Sequence, residues 1–251
     1  MKRLGGLFFI LGWMALVGCN SKSATGPEAP AAKADGQTSS EATPEAGKEA
    51  KAEIPASVRH AGFSYYGLAR EGELKYSYSS TPSTQNVPPG PGVMTLSLKS
   101  ATEKDATFNL VRVGFGMVDS EDTVRADEKG VFLTSTSKGE FGNPILELPA
   151  DVKPGSTWDI KTSFKSGDQT AELASNLKAV KIESVTTKGG TFEALRVELN
   201  GTMKVGAGQN GILKGISWYV KDLGMVKQEM SQTVGKNSAT VKYELAEKPN
   251  P

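Results

Sequence analysis

Apolar and polar residues alternate with a period of two along most of the chain from about residue 57 onward. Leu74, Tyr76 and Tyr78 alternate with polar residues in ELKYSYS, and Trp158 and Ile160 do so in TWDIKTSF. This period is typical of strands with one buried and one wetter face. The ten strands predicted in this way cover residues 73–79, 93–100, 106–113, 130–137, 157–164, 176–185, 191–199, 212–220, 224–231 and 240–246.

Glycine and asparagine residues stand between these segments, where tight hairpins need a positive φ. Examples are Lys188-Gly189-Gly190 and Gly235-Lys236-Asn237. No long apolar stripe of helical period is found after Ile54. We therefore predict an all-β domain with little helix, a curved antiparallel sheet or an open or half β-barrel of about ten strands.

The inward side chains of such a sheet either fill its interior or leave an apolar cavity, and the sequence leaves both outcomes open. A cavity would depend on the large aromatic residues of the strands, which are equally suited to an ordinary core. The possible cavity-lining residues are Tyr76, Tyr78, Trp158, Phe192, Trp218 and Tyr219.

The first residues have the order of a bacterial secretion signal. Lys2 and Arg3 precede an apolar run over residues 4–17, which is too short for a membrane span of about 20 residues. The run closes with Leu16-Val17-Gly18-Cys19, which resembles the lipobox of bacterial lipoproteins. The resemblance implies cleavage between Gly18 and Cys19, a diacylglyceryl group on the Cys19 thiol, and attachment to a membrane of the cell envelope. Asn20 replaces the aspartate that retains many lipoproteins in the inner membrane, so the outer membrane is favoured.

Residues 20–54 are rich in Ala, Ser, Thr, Gly, Pro, Lys and Glu and contain no aromatic residue. Such a segment buries too little apolar surface to offset its ordering entropy, and a flexible chain of this length has a reach of roughly 33 Å. We therefore divide the chain into a signal peptide at 1–18, a lipidated cysteine with a disordered tether at 19–54, a single β domain at 55–248, and a tail at 249–251.

Composition excludes several kinds of chemistry. The chain has one Cys and one His, so a structural zinc site and a disulfide lack ligands, and nucleophilic triads would have to use His60. His60 lies at the boundary between tether and domain, and we interpret it as a bystander. The formal charge is +1, and becomes −1 when Lys2 and Arg3 are removed, leaving 27 basic and 28 acidic residues, so no nucleic-acid partner is indicated.

Two further motifs are interpreted as turns. Gly206 to Gly211 matches the dinucleotide pattern G-x-G-x-x-G, but a strand follows instead of the helix that would hold the phosphates. The acidic run Asp119 to Asp122, with Asp127 and Glu128, lacks the spacing of a calcium loop. No metal, cofactor or catalytic residue is therefore predicted. A hydrolase built on carboxylates alone remains an alternative, with Glu193, Glu198 and Glu229 as possible members.

The C-terminal third has the most distinctive motifs, Gly190-Thr191-Phe192-Glu193-Ala194-Leu195-Arg196-Val197 and a hairpin from Trp218 through Gly224 to Glu229. They resemble a pattern found in bacterial envelope domains of uncharacterised function, and Tyr65-Tyr66-Gly67-Leu68 is similar to the entry motif of those domains. The resemblance implies a curved antiparallel sheet, more distantly similar to the half-barrels of periplasmic lipoprotein carriers. It implies no catalytic residue.

The sequence thus favours a membrane-anchored envelope lipoprotein whose β domain faces the periplasm or the exterior. We expect this domain to bind an apolar ligand or an envelope component without catalysis. The alternatives are a structural or protein-interaction lipoprotein with a filled core and, behind it, the carboxylate-based hydrolase.

Overall fold

The computed structural model describes residues 53–81, 90–114, 119–206 and 208–248. Gly18 and Cys19 lie outside the described residues, as do the signal peptide, the tail at 249–251, and the tether up to residue 52. The domain from residue 55 onward is described over nearly its whole length.

Most of the described chain is strand, as the period of two predicts. A 3₁₀ turn at Ala56–Val58 and a short helix, α1, at Ala61–Tyr66 precede the strands. The strands are β1 Gly72–Thr81, β2 Gly90–Ala101, β3 Asp105–Val113, β4 Ser120–Asp127, β5 Gly130–Thr136, β6 Glu140–Phe141, β7 Ile145–Pro149, β8 Thr157–Ser166, β9 Gln169–Thr187, β10 Gly190–Val205, β11 Gln209–Val220, β12 Gly224–Val234 and β13 Asn237–Leu245.

All thirteen strands form one antiparallel sheet in the order β6-β8-β9-β10-β11-β12-β13-β1-β2-β3-β4-β5-β7. Most neighbours are consecutive hairpins, and the pairing of β1 with β13 joins the two ends of the described chain. The sheet curves into a nearly closed barrel. The prediction of an all-β barrel-like sheet with little helix is confirmed.

The described residues form thirteen strands instead of the ten expected. The additional strands are β4, β6 and β7, and each lacks a clear alternation of apolar residues. β4 carries Ser120 and Asp122 on its buried face, where the pattern requires apolar residues. β6 has two residues and β7 has five, too few for a period to be recognised.

Side chains bridge the seam between the sheet's two edges. The Nε1–H of Trp158 on β8 donates to the carbonyl of Leu146 on β7 at 3.1 Å. The hydroxyl of Thr162 accepts from the backbone N–H of Asn143 at 3.1 Å and donates to the Asn143 carbonyl at 2.8 Å. The backbone groups of the two edges are thus partly satisfied without a continuous ladder, which leaves the barrel nearly closed.

The N-terminal segment enters the barrel and fills part of it. Val58, Phe63 and Leu68 are buried against the inward side chains of β3, β4 and β5, among them Phe108, whose ring lies edge-on to that of Phe63 with centroids 6.1 Å apart. A larger cluster joins the inward side chains of β1 and of β7 to β13. The interior is therefore an apolar core over most of its volume.

Helix α1 bridges two walls of the barrel. The Gly62 N–H donates to the Ala150 carbonyl beyond β7, and the Ser64 carbonyl accepts from the Asp222 N–H between β11 and β12. His60 caps the helix, its Nδ1 accepting from the Phe63 N–H at 3.1 Å. Gly67 ends the helix at φ 78°, and a Cβ there would lie 2.7 Å from the Leu223 backbone. The tight approach requires glycine at this position.

Candidate functional site

A cavity of about 80 Å³ remains in the barrel between helix α1 and the strands. It reaches the surface beside Arg70 and the exposed Gly72. Most of its lining is apolar and comes from strands around the barrel. The apolar lining residues are Leu74, Met94, Leu96, Leu110, Ile160, Leu177, Val197, Leu199, Leu223, Met225 and Met230.

An ion pair lies inside the barrel at the polar end of this cavity. The guanidinium of Arg112 on β3 donates to the carboxylate of Asp122 on β4, and the two side chains are only 5% and 3% exposed. The hydroxyl of Ser120 also donates to Asp122 Oδ2 at 3.3 Å. Because each charge is compensated by the other, the pair forms a neutral unit in the interior.

A second carboxyl group, that of Glu147, lines the cavity from β7. In the pairing of β5 with β7, Val131 faces Leu148 and Phe132 faces Leu146, so Glu147 is the extra residue of a β-bulge. A bulge re-aims the side chain of its extra residue. Within the described ranges, no protein group donates a hydrogen bond to the Glu147 carboxylate.

The electrostatics of Glu147 follow from this placement. Part of its side chain contacts the cavity, but the surrounding protein removes most of its hydration. Burial therefore raises the pKa of Glu147 to about 7, although nearby Arg112 acts in the opposite direction, while Asp122 raises it further. Near neutral pH the group is able to gain or lose a proton.

Two tyrosines complete the polar end. Burial raises the pKa of Tyr66 at the end of α1, and the charge of Glu147 raises it further. Burial and Glu147 act in the same way on the pKa of Tyr219 on β11. Both residues line the cavity, and both stay neutral hydroxyls able to donate or accept a hydrogen bond.

On the β11–β12 wall, Gln228 Nε2 donates to the Ser217 hydroxyl at 2.8 Å. The side-chain carbonyl oxygen of Gln228 is buried and accepts no hydrogen bond from the described residues. A buried acceptor without a donor is costly, and a ligand or water in the cavity is able to satisfy it.

The structure places one of the six predicted aromatic residues, Tyr219, at the cavity. Tyr76 and Tyr78 lie in the packed core, where the Tyr76 hydroxyl donates to the Met225 carbonyl at 2.5 Å. Trp158 closes the seam, and Phe192 is half-buried beside Gly190. Trp218 faces away from the cavity, its Nε1–H donating to Glu183 at 2.9 Å under the ammonium of Lys227.

The other residues singled out in the sequence lie elsewhere. Glu193 is exposed, Glu198 pairs with Arg196, and Glu229 lies between Lys227 and Lys242, so the three are not brought together in a cleft. His60 holds helix α1 to β4, its Nε2 lying 2.9 Å from the Asp127 carbonyl. Gly206 and Gly208 flank the turn between β10 and β11.

Sequence reasoning missed Arg112, Asp122 and Glu147. The sequence did contain a signal for Arg112, because this residue continues the inward row of Phe108 and Leu110. An unpaired charge is costly at such a buried position, so a charged residue there indicates a partner. Asp122 similarly continues the row of Val124 and Ala126, although the acidic run containing it was interpreted as a solvated turn. No local signal identifies Glu147, because its orientation depends on the register between β5 and β7.

Among the described residues, no group of three or more His, Cys, Asp or Glu is arranged to hold a metal ion. The helices within these ranges are too short and too polar to cross a bilayer.

Fold and site define a nearly closed antiparallel β-barrel with an apolar interior cavity that ends in charged and polar groups. A DUF3108-like family model matches residues 147–242, which run from within β7 to within β13. This range contains the β10 and β11–β12 motifs on which the sequence resemblance to bacterial envelope domains rests. A comparison with curated proteins finds no significant match.

Two solved structures share the fold. A candidate lipoprotein of Parabacteroides distasonis has a TM-score of 0.52 at 14% identity, with 73% of this chain and 98% of that chain covered. A candidate exported protein of Bacteroides fragilis with a YmcC-like fold has a TM-score of 0.50 at 14% identity, with 71% of this chain and 95% of that chain covered. At this level of identity, the similarity establishes the fold alone.

Proposed function

We propose that this protein is a bacterial cell-envelope lipoprotein, anchored through Cys19, whose barrel binds a small apolar or amphipathic ligand without catalysing a reaction. The observation that carries the proposal is the cavity, an apolar space of about 80 Å³ that ends at Glu147 and at Arg112, the partner of Asp122. A dry apolar cavity of about 150 Å³ is enough to hold benzene, so this cavity suits a short alkyl group or one end of a longer molecule.

The position of the opening agrees with an anchored binding protein. Glu53 and Ile54, where the described chain begins, border a shallow groove together with Ala69 and Glu71. Arg70, which lines the cavity near its opening, belongs to the same loop, and Gly72, which also lines it, begins β1 directly after the loop. The described chain therefore begins on the side of the barrel where the cavity opens, so a tether that ends at residue 54 joins the barrel on that side.

Binding is favoured over hydrolysis by the state of the carboxylates. A two-carboxylate mechanism needs an acid and a base that are both free to exchange protons with the substrate. Asp122 is bound to Arg112 and Ser120, so Glu147 is the remaining carboxyl group at the cavity that is able to do so.

A solvent extract of the full-length protein, purified from the membrane in which it is made, tests ligand binding. Mass spectrometry should find a stoichiometric apolar or amphipathic compound with the wild type and none with Val197→Phe, which fills the cavity. Ile182→Phe adds a ring at a side chain that is 49% exposed and should retain the compound. If the wild-type extract contained no such compound, ligand binding would be rejected. The alternative of a structural or protein-interaction lipoprotein would then be favoured, and the small size of the cavity is compatible with it.

The anchor is tested separately. Cys19→Ser should move the protein from the membrane fraction to the soluble fraction, because the thiol is the acceptor of the lipid. Ser21→Ala, two residues further along, should leave it in the membrane fraction. A Cys19→Ser protein that still sediments with membranes would contradict lipid anchoring.

A further inference from the structure

We infer that the cavity selects amphipathic molecules with a cationic head group, an alkylammonium, and that Glu147 is the residue that binds this head group. The inference rests on the proposed ligand-binding function and names the chemical class of the ligand. It follows from the arrangement of charges and hydrogen-bonding groups around the cavity.

The charges at the polar end do not cancel when Glu147 is ionised. Arg112 and Asp122 neutralise each other through their ion pair, which leaves the negative charge of Glu147 without a counter-ion. The charged and ionisable groups near enough to Glu147 to interact with it electrostatically are Arg112 on β3, Asp122 on β4, Tyr66 on α1 and Tyr219 on β11. Arg112 is the single cation among them, and its charge is already shared with Asp122. Arg70, the other cation that lines the cavity, lies at the opening, where its guanidinium donates to the Glu73 carbonyl at 3.0 Å.

A bound ammonium supplies what is missing. It donates up to three hydrogen bonds, and the cavity offers two acceptors, the Glu147 carboxylate and the carbonyl oxygen of Gln228, which is buried without a donor from the described residues. A carboxylate head group would instead bring a second negative charge next to the ionised Glu147, in poorly hydrated surroundings. The apolar lining, including Leu177, Val197 and Leu199, accommodates the alkyl part.

The size of the cavity sets the length of the probes. We choose n-butylammonium, n-butanol and butyrate, which share a four-carbon chain and differ in the charge of the head group. Their dissociation constants are measured by NMR titration at pH 8, where Glu147 is ionised and the amine is protonated, and again at pH 6.

With the wild type at pH 8, n-butylammonium should bind about tenfold or more tighter than butyrate, as expected for a desolvated ion pair. Its affinity should fall from pH 8 to pH 6 as Glu147 takes up a proton. Glu147→Gln should bind n-butylammonium and butyrate within about twofold of each other, both no tighter than n-butanol, and without the pH dependence. Glu121→Gln, at an exposed position of β4, should behave as the wild type.

Equal or tighter binding of butyrate, or an unchanged preference in Glu147→Gln, would overturn the role of Glu147 while leaving ligand binding intact, provided that n-butanol binds. Absence of binding by all three probes would overturn the inference and count against the proposed binding function as well. The pH dependence of the wild type is a second readout that does not require the Glu147→Gln protein to fold.

Discussion

Arg112 and Asp122 form a buried ion pair on a diagonal between two neighbouring strands. The register of β3 and β4 places Arg112 opposite Ser120, and Asp122 opposite Leu110, so each charged side chain reaches across to its partner instead of facing it directly. Both point into the barrel, and their exposed fractions are 5% and 3%. The wall of the barrel thus contains one compensated pair of charges at the end of its cavity.

Loss of one partner of this pair should be far more damaging than loss of both. Arg112→Met leaves the Asp122 carboxylate buried without a counter-ion, and the free energy of unfolding should fall by about 3 kcal/mol or more. The double variant Arg112→Met/Asp122→Leu removes both charges and should recover much of this loss. Urea unfolding of the three proteins measures the difference.

The exposed pair of Lys75 and Glu247 is the matched control, with an N–O distance of 2.8 Å and exposed fractions of 51% and 62%. Lys75→Met should leave stability nearly unchanged, because solvent screens the pair. Equal losses for Lys75→Met and Arg112→Met would contradict the importance of burial.

The stability of the domain should depend on the ionisation of Glu147. Its pKa is raised from 4.5 to about 7 in the folded protein, so the folded state binds more protons than the unfolded state between these values. The contribution of Glu147 to the free energy of unfolding therefore falls as the pH rises from 4.5 to 7 and stays low above that range.

Glu147→Gln removes this dependence. We expect the variant to be more stable than the wild type at pH 8 by about 2 kcal/mol, a value reduced because part of the side chain contacts the cavity, and similar to it at pH 5. Urea unfolding at the two pH values checks the sign. The same difference from the wild type at both pH values would show that Glu147 is not the titrating group.

The seam of the barrel should weaken when the Trp158 donor is removed. Trp158→Phe keeps a ring in the core but loses the hydrogen bond to the Leu146 carbonyl, and stability should fall by about 1 kcal/mol or more. Amide hydrogen exchange of β7 and β8 should become faster.

Trp218→Phe is the comparison, since it also removes an indole donor, whose partner is the carboxylate of Glu183 on the face away from the cavity. It should leave hydrogen exchange at β7 and β8 unchanged. Acceleration at β7 and β8 by both variants would argue against a specific role of Trp158 at the seam.

The lone histidine should contribute to stability as a helix cap. His60 Nδ1 accepts from the Phe63 N–H, and Nε2 lies beside the Asp127 carbonyl, an acceptor, so Nε2 is the nitrogen that donates. His60→Ala should cost about 1 kcal/mol through the loss of both hydrogen bonds. Arg59→Ala, at the neighbouring exposed residue, should cost less in thermal unfolding. Equal losses would contradict the capping role.

The sequence by itself determined the class of the fold and many of the strands, because these depend on local pattern. Alternation in segments such as those containing Tyr76 and Ile160 requires strands with one buried face, and Gly189-Gly190 and Gly235 mark hairpins that the structure contains. The short β7 and the polar inward face of β4 lack this alternation of apolar and polar residues. They are recognisable as strands only from their pairing with neighbouring strands.

The tertiary structure alone decided the site. Whether the barrel interior is filled depends on how far helix α1 enters it. Tertiary contacts set that depth, and no local sequence pattern predicts it. Tyr219 faces the cavity while Trp218, its neighbour, faces away, and a shift of one residue in the strand would have exchanged them. Arg112 meets Asp122, and Glu147 turns inward, through register and a bulge between strands, which are properties of pairs of segments and not of either segment alone.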